Sequence, residues 1–450
     1  MGLRVPAGGR ITLRSLAAAL LALLAVGAAA RAQDRAPIVI EGGKGKTYRI
    51  AVQRFADRST PQSDERITRF REALQNALEF SGLFQRIPEG AFLGPLTTES
   101  LDDGAQIACP DWTQIGADAL LQGEIARDAQ GFRVAFRVWD TARCRDLMRR
   151  RYMQNATANP EDVARRVADD VVEAFLGVKG VSSTEIAFVS DRSGNKEIYV
   201  MEADGSNVRK ATANRSINNF PNWSPDGQAI AYTSYRQGNR PLIFLSSRGK
   251  LRPGRLLQSD GRSQYRAVFD PVGERLAVVL SNGSSSEIVS VDTDGKDVRR
   301  ITQSQSIEVS PSWSPDGKRI AFVSDRTGAP QIYVMSANGG DERRLTFDGA
   351  YNTNPAWSPD GLWIAYETRV EGQFDIWLID PDGKVNVPLV TNERSDEAPS
   401  WAPNSRHIVF SSTRRGRADL YMIDRDGSNL RRLTGDAGNN TAPAWGPFPP

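Results

Sequence analysis

The chain has 450 residues, 40% of them hydrophobic and 25% charged, enough to bury one large core or two smaller ones and too apolar for disorder to be the default. A single histidine, His407, argues against His-based catalysis and multi-His metal sites, and the formal charge of +3 is too small to point to nucleic acid.

Arg4, Arg10 and Arg14 precede an apolar run from Leu16 to Ala30, too short for the roughly 20 residues that span a bilayer. The run ends in Ala30-Arg31-Ala32, a small-x-small pattern, so residues 1–32 are expected to be a cleaved export signal and the mature chain to start at Gln33. No Cys follows that position to accept a lipid, and the expected product is not membrane-spanning. Losing the four arginines of residues 1–32 takes the net charge from +3 to −1, so the basicity belongs to the leader.

Residues 33–180 read as a mixed α/β domain. Tyr48–Val52 is strand-like, and Glu65–Phe80 is an amphipathic helix with Ile67, Phe70, Leu74 and Leu78 on one face. Gly131–Trp139 alternates like a strand. Pro160–Leu176 carries Val163, Val167, Val171 and Ala174 at helical spacing, and a boundary is expected near Gly177–Ser183. The only cysteines, Cys109 and Cys144, fall in this domain. Export permits a disulfide, whose loop of 35 residues would contribute about 4 kcal/mol in the chain-entropy model. The alternative is two buried thiols.

Residues 181–450 are repetitive. Pro221-Asn222-Trp223-Ser224-Pro225-Asp226-Gly227 recurs at Pro311–Gly317 and Pro355–Gly361, with degenerate copies at Phe269–Gly273, Pro399–Asn404 and Pro443–Pro447. From Trp223 the steps are 46, 44, 44, 44 and 44 residues, giving six copies. Each period holds an apolar run such as Ile320–Val323, a second such as Ile332–Met335, an Asp-Gly or Asn-Gly turn, and a short basic segment such as Arg343-Arg344. That is the pattern of four antiparallel strands. Pro and Asp suit the middle of a type I turn, and Gly accepts the left-handed conformation that follows. A four-stranded unit cannot bury both faces alone, so the units should close into a ring: a six-bladed β-propeller. The first repeat lacks a Pro-x-Trp strand and the last repeat has nothing else, so the C-terminal strand should complete the blade begun near Thr184.

No Gly-x-Ser-x-Gly elbow, phosphate-binding loop or paired-Cys motif is present. The tryptophans are expected to pack between blades, the Asp-Gly turns to be hairpins and not calcium loops, and His407 to be structural. The variable positions lie just before each Pro-x-Trp: Asn218, Asn219 and Phe220; Gln264, Tyr265 and Arg266; Glu308, Val309 and Ser310; Tyr351, Asn352, Thr353 and Asn354; Ser395, Asp396 and Glu397; Asn439, Asn440 and Thr441. Equivalent segments emerge on one face of a propeller, so these are expected to be loops ringing a channel mouth, free of scaffold duty and available to a protein partner.

Taken together, the leader, the α/β domain, the six repeats, the terminal Pro443-Ala444-Trp445 and Ile38-Val39-Ile40-Glu41 near the mature start resemble the TolB family of the bacterial Tol-Pal envelope system. The resemblance implies a non-enzymatic periplasmic protein that links the envelope layers and supports outer-membrane integrity and constriction at division. It implies a TolA-type inner-membrane partner on the N-terminal arm (Gln33, Asp34, Ile38, Val39, Ile40, Glu41) and a Pal-type lipoprotein on the channel ring. This chain departs from the repeat at Arg266-Ala267, where other copies carry Pro. No cofactor is expected. The alternative reading is a periplasmic propeller enzyme or small-ligand sensor, with a polar channel site or a calcium ion on Asp396, Glu397 and Asn side chains.

Overall fold

The computed structural model describes residues 47–449 except 60–64, 102–105, 129–130, 156, 239, 248–253, 259 and 436. The leader and the arm from Gln33 to Glu41 lie outside the described residues.

The N-terminal sheet contains β1 (Tyr48–Val52), β2 (Ala56–Asp57), β3 (Phe84–Arg86), β4 (Ala119–Asp128), β5 (Gly131–Asp140) and β6 (Arg145–Gln154). Its order is β3-β1-β4-β5-β6, with β2 against β4. β1 runs parallel to β3 and β4, and β4, β5 and β6 are antiparallel. Helices α1 (Glu65–Phe80) and α3 (Pro160–Leu176) cover one face, bringing Phe70, Leu74, Val167 and Val171 into one core with Ile50, Val134 and Phe136. Both helices have the bounds their periodicity predicts. α3 starts at Asn159, whose side chain accepts from Glu161 N–H at 3.2 Å, and ends at Gly177 with φ 70°. Helix α2 (Cys109–Gln114) packs Trp112 against the other face with Leu120 and Trp139. The disulfide forms: Cys109, opening α2, joins Cys144 in the β5–β6 turn, with Cα atoms 5.7 Å apart.

The rest is a closed ring of six four-stranded antiparallel sheets. Blade one is discontinuous. Its innermost strand is the C-terminal Asn440–Trp445, paired with Glu185–Ser190 and followed outward by Glu197–Glu202 and Arg209–Lys210. The innermost strands of blades two to six are Asn218–Trp223, Ser263–Phe269, Glu308–Trp313, Asn352–Trp357 and Asp396–Trp401.

The tryptophans tie blades together, as expected. The indole N–H of Trp401 donates to Ala356 O of the preceding blade at 2.9 Å, and Trp357 N–H donates to Ser312 Oγ at 2.9 Å. In the Ser-Pro-Asp-Gly turns Ser224, Ser314 and Ser358 each donate to the following Asp at 2.6 Å, and Gly227, Gly317 and Gly361 take φ of 67°, 69° and 75°. His407 is structural: its Nδ1 lies 2.5 Å from Asp424 Oδ1, and its ring stacks on Trp445.

The α/β domain sits on the face that carries these turns. Asn404 Nδ2 donates to Lys179 O at 3.1 Å, and Arg431 Nη1 donates to Phe80 O at 3.1 Å. In the connection, Asp169 of α3 accepts from Ser182 N–H at 2.6 Å and from Ser183 N–H at 2.9 Å, and burial pushes its carboxyl up to about 6. Among the described residues, the opposite channel mouth is left clear of this domain.

Candidate protein-docking channel

A residue at or next to the start of each innermost strand is a scaffold residue, which corrects the sequence expectation. Asn218, Gln264, Glu308, Asn352, Asp396 and Asn440 are strand residues, each at most 1% exposed. A polar group buried that deeply is retained only with partners, and each has them. Asn218 Nδ2 donates to Lys196 O at 3.0 Å and Glu197 Oε2 at 2.9 Å. Asn352 Nδ2 donates to Gln331 Oε1 and Asp348 O, both at 2.8 Å. Gln264 Oε1 accepts from Ile243 N–H, and Asn440 Oδ1 accepts from Arg192. Glu308 pairs with Arg326, and Asp396 pairs with Arg414 at 3.0 Å and takes a further hydrogen bond from Asn392.

The next positions are divided. Tyr265 and Val309 are partly buried against the apolar core shared by blades three and four, so they too belong to the ring. Asn219 and Thr441 are half-buried, and Glu397 is exposed. Asp396, one of the residues named for a calcium ion, is committed to Arg414 and Asn392. Among the described residues no group of three His, Cys, Asp or Glu is placed to hold a metal.

The third position is the one that reaches the channel. In every blade the innermost strand shifts register there, between Asn219 and Asn222 in blade two and at the equivalent places elsewhere. Phe220, Arg266, Ser310, Asn354, Ala398 and Ala442 all take positive φ, from 44° to 55°. Such a bulge re-aims a side chain. Five of these six, with the prolines that follow in five of the blades, line a central cavity of about 150 Å³.

Two charged groups belong to this channel. Arg266 lays its guanidinium over the Phe220 ring, 4.5 Å from its centroid, and burial pulls it down to about 10. Glu367, 3% exposed, comes from the second strand of blade five. Its Oε1 accepts from Asn354 Nδ2 and Ala398 N–H, both at 2.5 Å, and burial pushes its carboxyl up to about 7.

The clear mouth carries exposed apolar residues. Ile217, Ile307 and Tyr351 stand immediately before the innermost strands of blades two, four and five, and are 49%, 46% and 37% exposed; Phe347, in the loop of Tyr351, is 72% exposed. Tyr351 packs edge-on against Phe374.

Two family models match these two parts: the TolB amino-terminal domain over residues 36–147 and the TolB beta propeller domain over residues 172–449. The chain belongs to the TolB family. It is 35% identical over 307 residues to the Tol-Pal system protein TolB of Anaeromyxobacter dehalogenans strain 2CP-1, covering 67% of each chain. It is 38% identical over 235 residues to that of Desulfosudis oleivorans, covering 52% of each. The crystal structure of TolB from Acinetobacter baumannii superposes with a TM-score of 0.74 at 25% identity, covering 89% of this chain and 97% of that one. Sequence reading missed Glu367 because it continues the apolar run Ile364-Ala365-Tyr366. A lone acid in such a run was the available signal.

Proposed function

We propose that this chain is a non-enzymatic periplasmic component of a Tol-Pal system. In this reading the clear mouth of the propeller receives a Pal-type lipoprotein, and the Gln33–Glu41 arm reaches a TolA-type inner-membrane protein, supporting outer-membrane integrity and constriction at division. The observation that carries the docking half is the set of exposed Ile217, Ile307, Phe347 and Tyr351 around one channel end. Exposed apolar clusters rimmed by polar residues mark protein-binding surfaces. The arm assignment rests on family membership and on Ile38-Val39-Ile40, a short apolar segment of the kind that adds onto a sheet edge.

Calorimetric titration of the mature chain with the soluble domain of the Pal-type lipoprotein of the same organism tests the docking half. Phe347→Glu with Ile307→Glu should abolish binding while leaving the melting temperature within a few degrees. Undiminished affinity would remove the mouth from consideration. If occupancy of the channel biases release of the arm, saturating Pal must change the affinity for TolA, and TolA must change the affinity for Pal by the same factor. Equal affinities would rule the coupling out.

A further inference from the structure

We infer that Arg266 is the receptor for a carboxylate side chain that the docking partner carries into the channel, an inference that rests on the docking reading above.

Arg266 differs from Arg326 and Arg414, the arginines that serve the strand starts of blades four and six. Arg326 is paired with Glu308 and Arg414 with Asp396, each guanidinium held by a buried acid. Arg266 has the Phe220 ring beneath it and no ion pair with a described residue. The bulge dictates this placement. With φ at 44° and its N–H donated to Thr233 Oγ1 at 3.1 Å, the backbone aims the side chain inward, away from the polar network that serves the strand starts.

The other five bulge positions, Phe220, Ser310, Asn354, Ala398 and Ala442, carry no charge. The nearby acid, Glu367, has its Oε1 turned to Asn354 Nδ2 and Ala398 N–H. Burial raises its carboxyl well above the usual carboxylate range, which weakens the counter-charge it offers Arg266.

A guanidinium kept from bulk water without a full counter-charge is the costly half of an ion pair. Its planar fork is matched by a carboxylate, which can accept two parallel N–H bonds. The cavity, about 150 Å³, admits a side chain but not a folded element. The apolar residues at the mouth therefore grip the partner's surface, and an Asp or Glu projecting from that surface reaches Arg266. A neutral side chain in its place would leave the guanidinium desolvated and unmatched.

Two measurements test this on the full mature chain. In the first, arginine Nε–Hε resonances are followed by NMR during titration with acetate and, as the neutral isostere, acetamide. The Arg266 signal, assigned by its loss in Arg266→Gln, should shift saturably with acetate and not with acetamide. No saturable shift, or equal shifts, would overturn the site. In the second, affinity for the soluble domain of the Pal-type lipoprotein is compared among wild type, Arg266→Lys and Arg266→Gln, all verified as folded by their melting temperatures. Losing one partner of a desolvated charge pair should weaken binding by at least about tenfold in Arg266→Gln, with Arg266→Lys intermediate. Binding unchanged in Arg266→Gln would overturn the inference while leaving docking at the mouth intact. Absence of binding by wild type, with the acetate response retained, would instead overturn the docking reading and the partner as the source of the carboxylate.

Discussion

The indole N–H of Trp445 donates to Thr184 Oγ1 at 2.8 Å, a hydrogen bond across 261 residues that joins the last strand of the chain to the first residues of the ring. Trp445 is also buried against His407 and the blade-one core. Replacing it by Ala should lower stability by about 3 kcal/mol. Ending the chain at Ala442 should lower the melting temperature far more than trimming a frayed terminus does. A thermal scan of both variants checks this, and unchanged transitions would contradict ring closure as a source of stability.

The strand-start residues should behave as stability positions. Asp396→Ala leaves Arg414 beside a buried gap and should cost about 2 to 3 kcal/mol in urea denaturation, toward the lower end for buried pairs because Arg414 is 20% exposed. Asp396→Ala with Arg414→Ala should cost less than the sum of the two singles. Full additivity would show that the pair is not coupled.

Glu367 gives stability a pH dependence of defined sign. Burial lifts its carboxyl from 4.5 to about 7, so between those values the folded chain holds a proton that the unfolded chain releases. Its contribution is therefore present below about 4.5 and is lost as pH rises toward 7, by on the order of 3 kcal/mol at most. Denaturation of wild type and Glu367→Gln at a series of pH values should show this component in wild type alone. Parallel profiles would exclude it.

The disulfide should matter to one domain. Cys109→Ser with Cys144→Ser should destabilise the α/β domain by about 4 kcal/mol in the chain-entropy model. The propeller transition, followed by tryptophan fluorescence in a background with Trp112 and Trp139 replaced by Phe, should stay where it is. Reductant should reproduce the effect in wild type and leave the double variant unchanged.

Much of the architecture was legible because it is periodic. The 44-residue repeat, the Ser-Pro-Asp-Gly turns and the helical spacing in α1 and α3 each express a local geometric demand that only certain residues meet. The channel was less legible. Asn218 and Phe220 are two residues apart in one variable segment, yet the first is buried in a hydrogen-bond network and the second faces the cavity. What separates them is a bulge, a register shift between strands that no single segment of sequence encodes. Glu367 was hidden for a related reason: its partners Asn354 and Ala398 approach from its own blade and the next one, and only the closed ring brings them together.

The six bulges also bear on how such a channel changes over time. Five of them present a side chain to the cavity from a position where the strand pairing is already broken, so exchanging that side chain disturbs no ladder and leaves the buried polar residue two places earlier untouched. The wall is in effect a set of five interchangeable sockets on a fixed frame. A partner that alters one contact can be followed by a substitution at one socket, and the pair can diverge from its relatives stepwise without the ring ever having to be rebuilt.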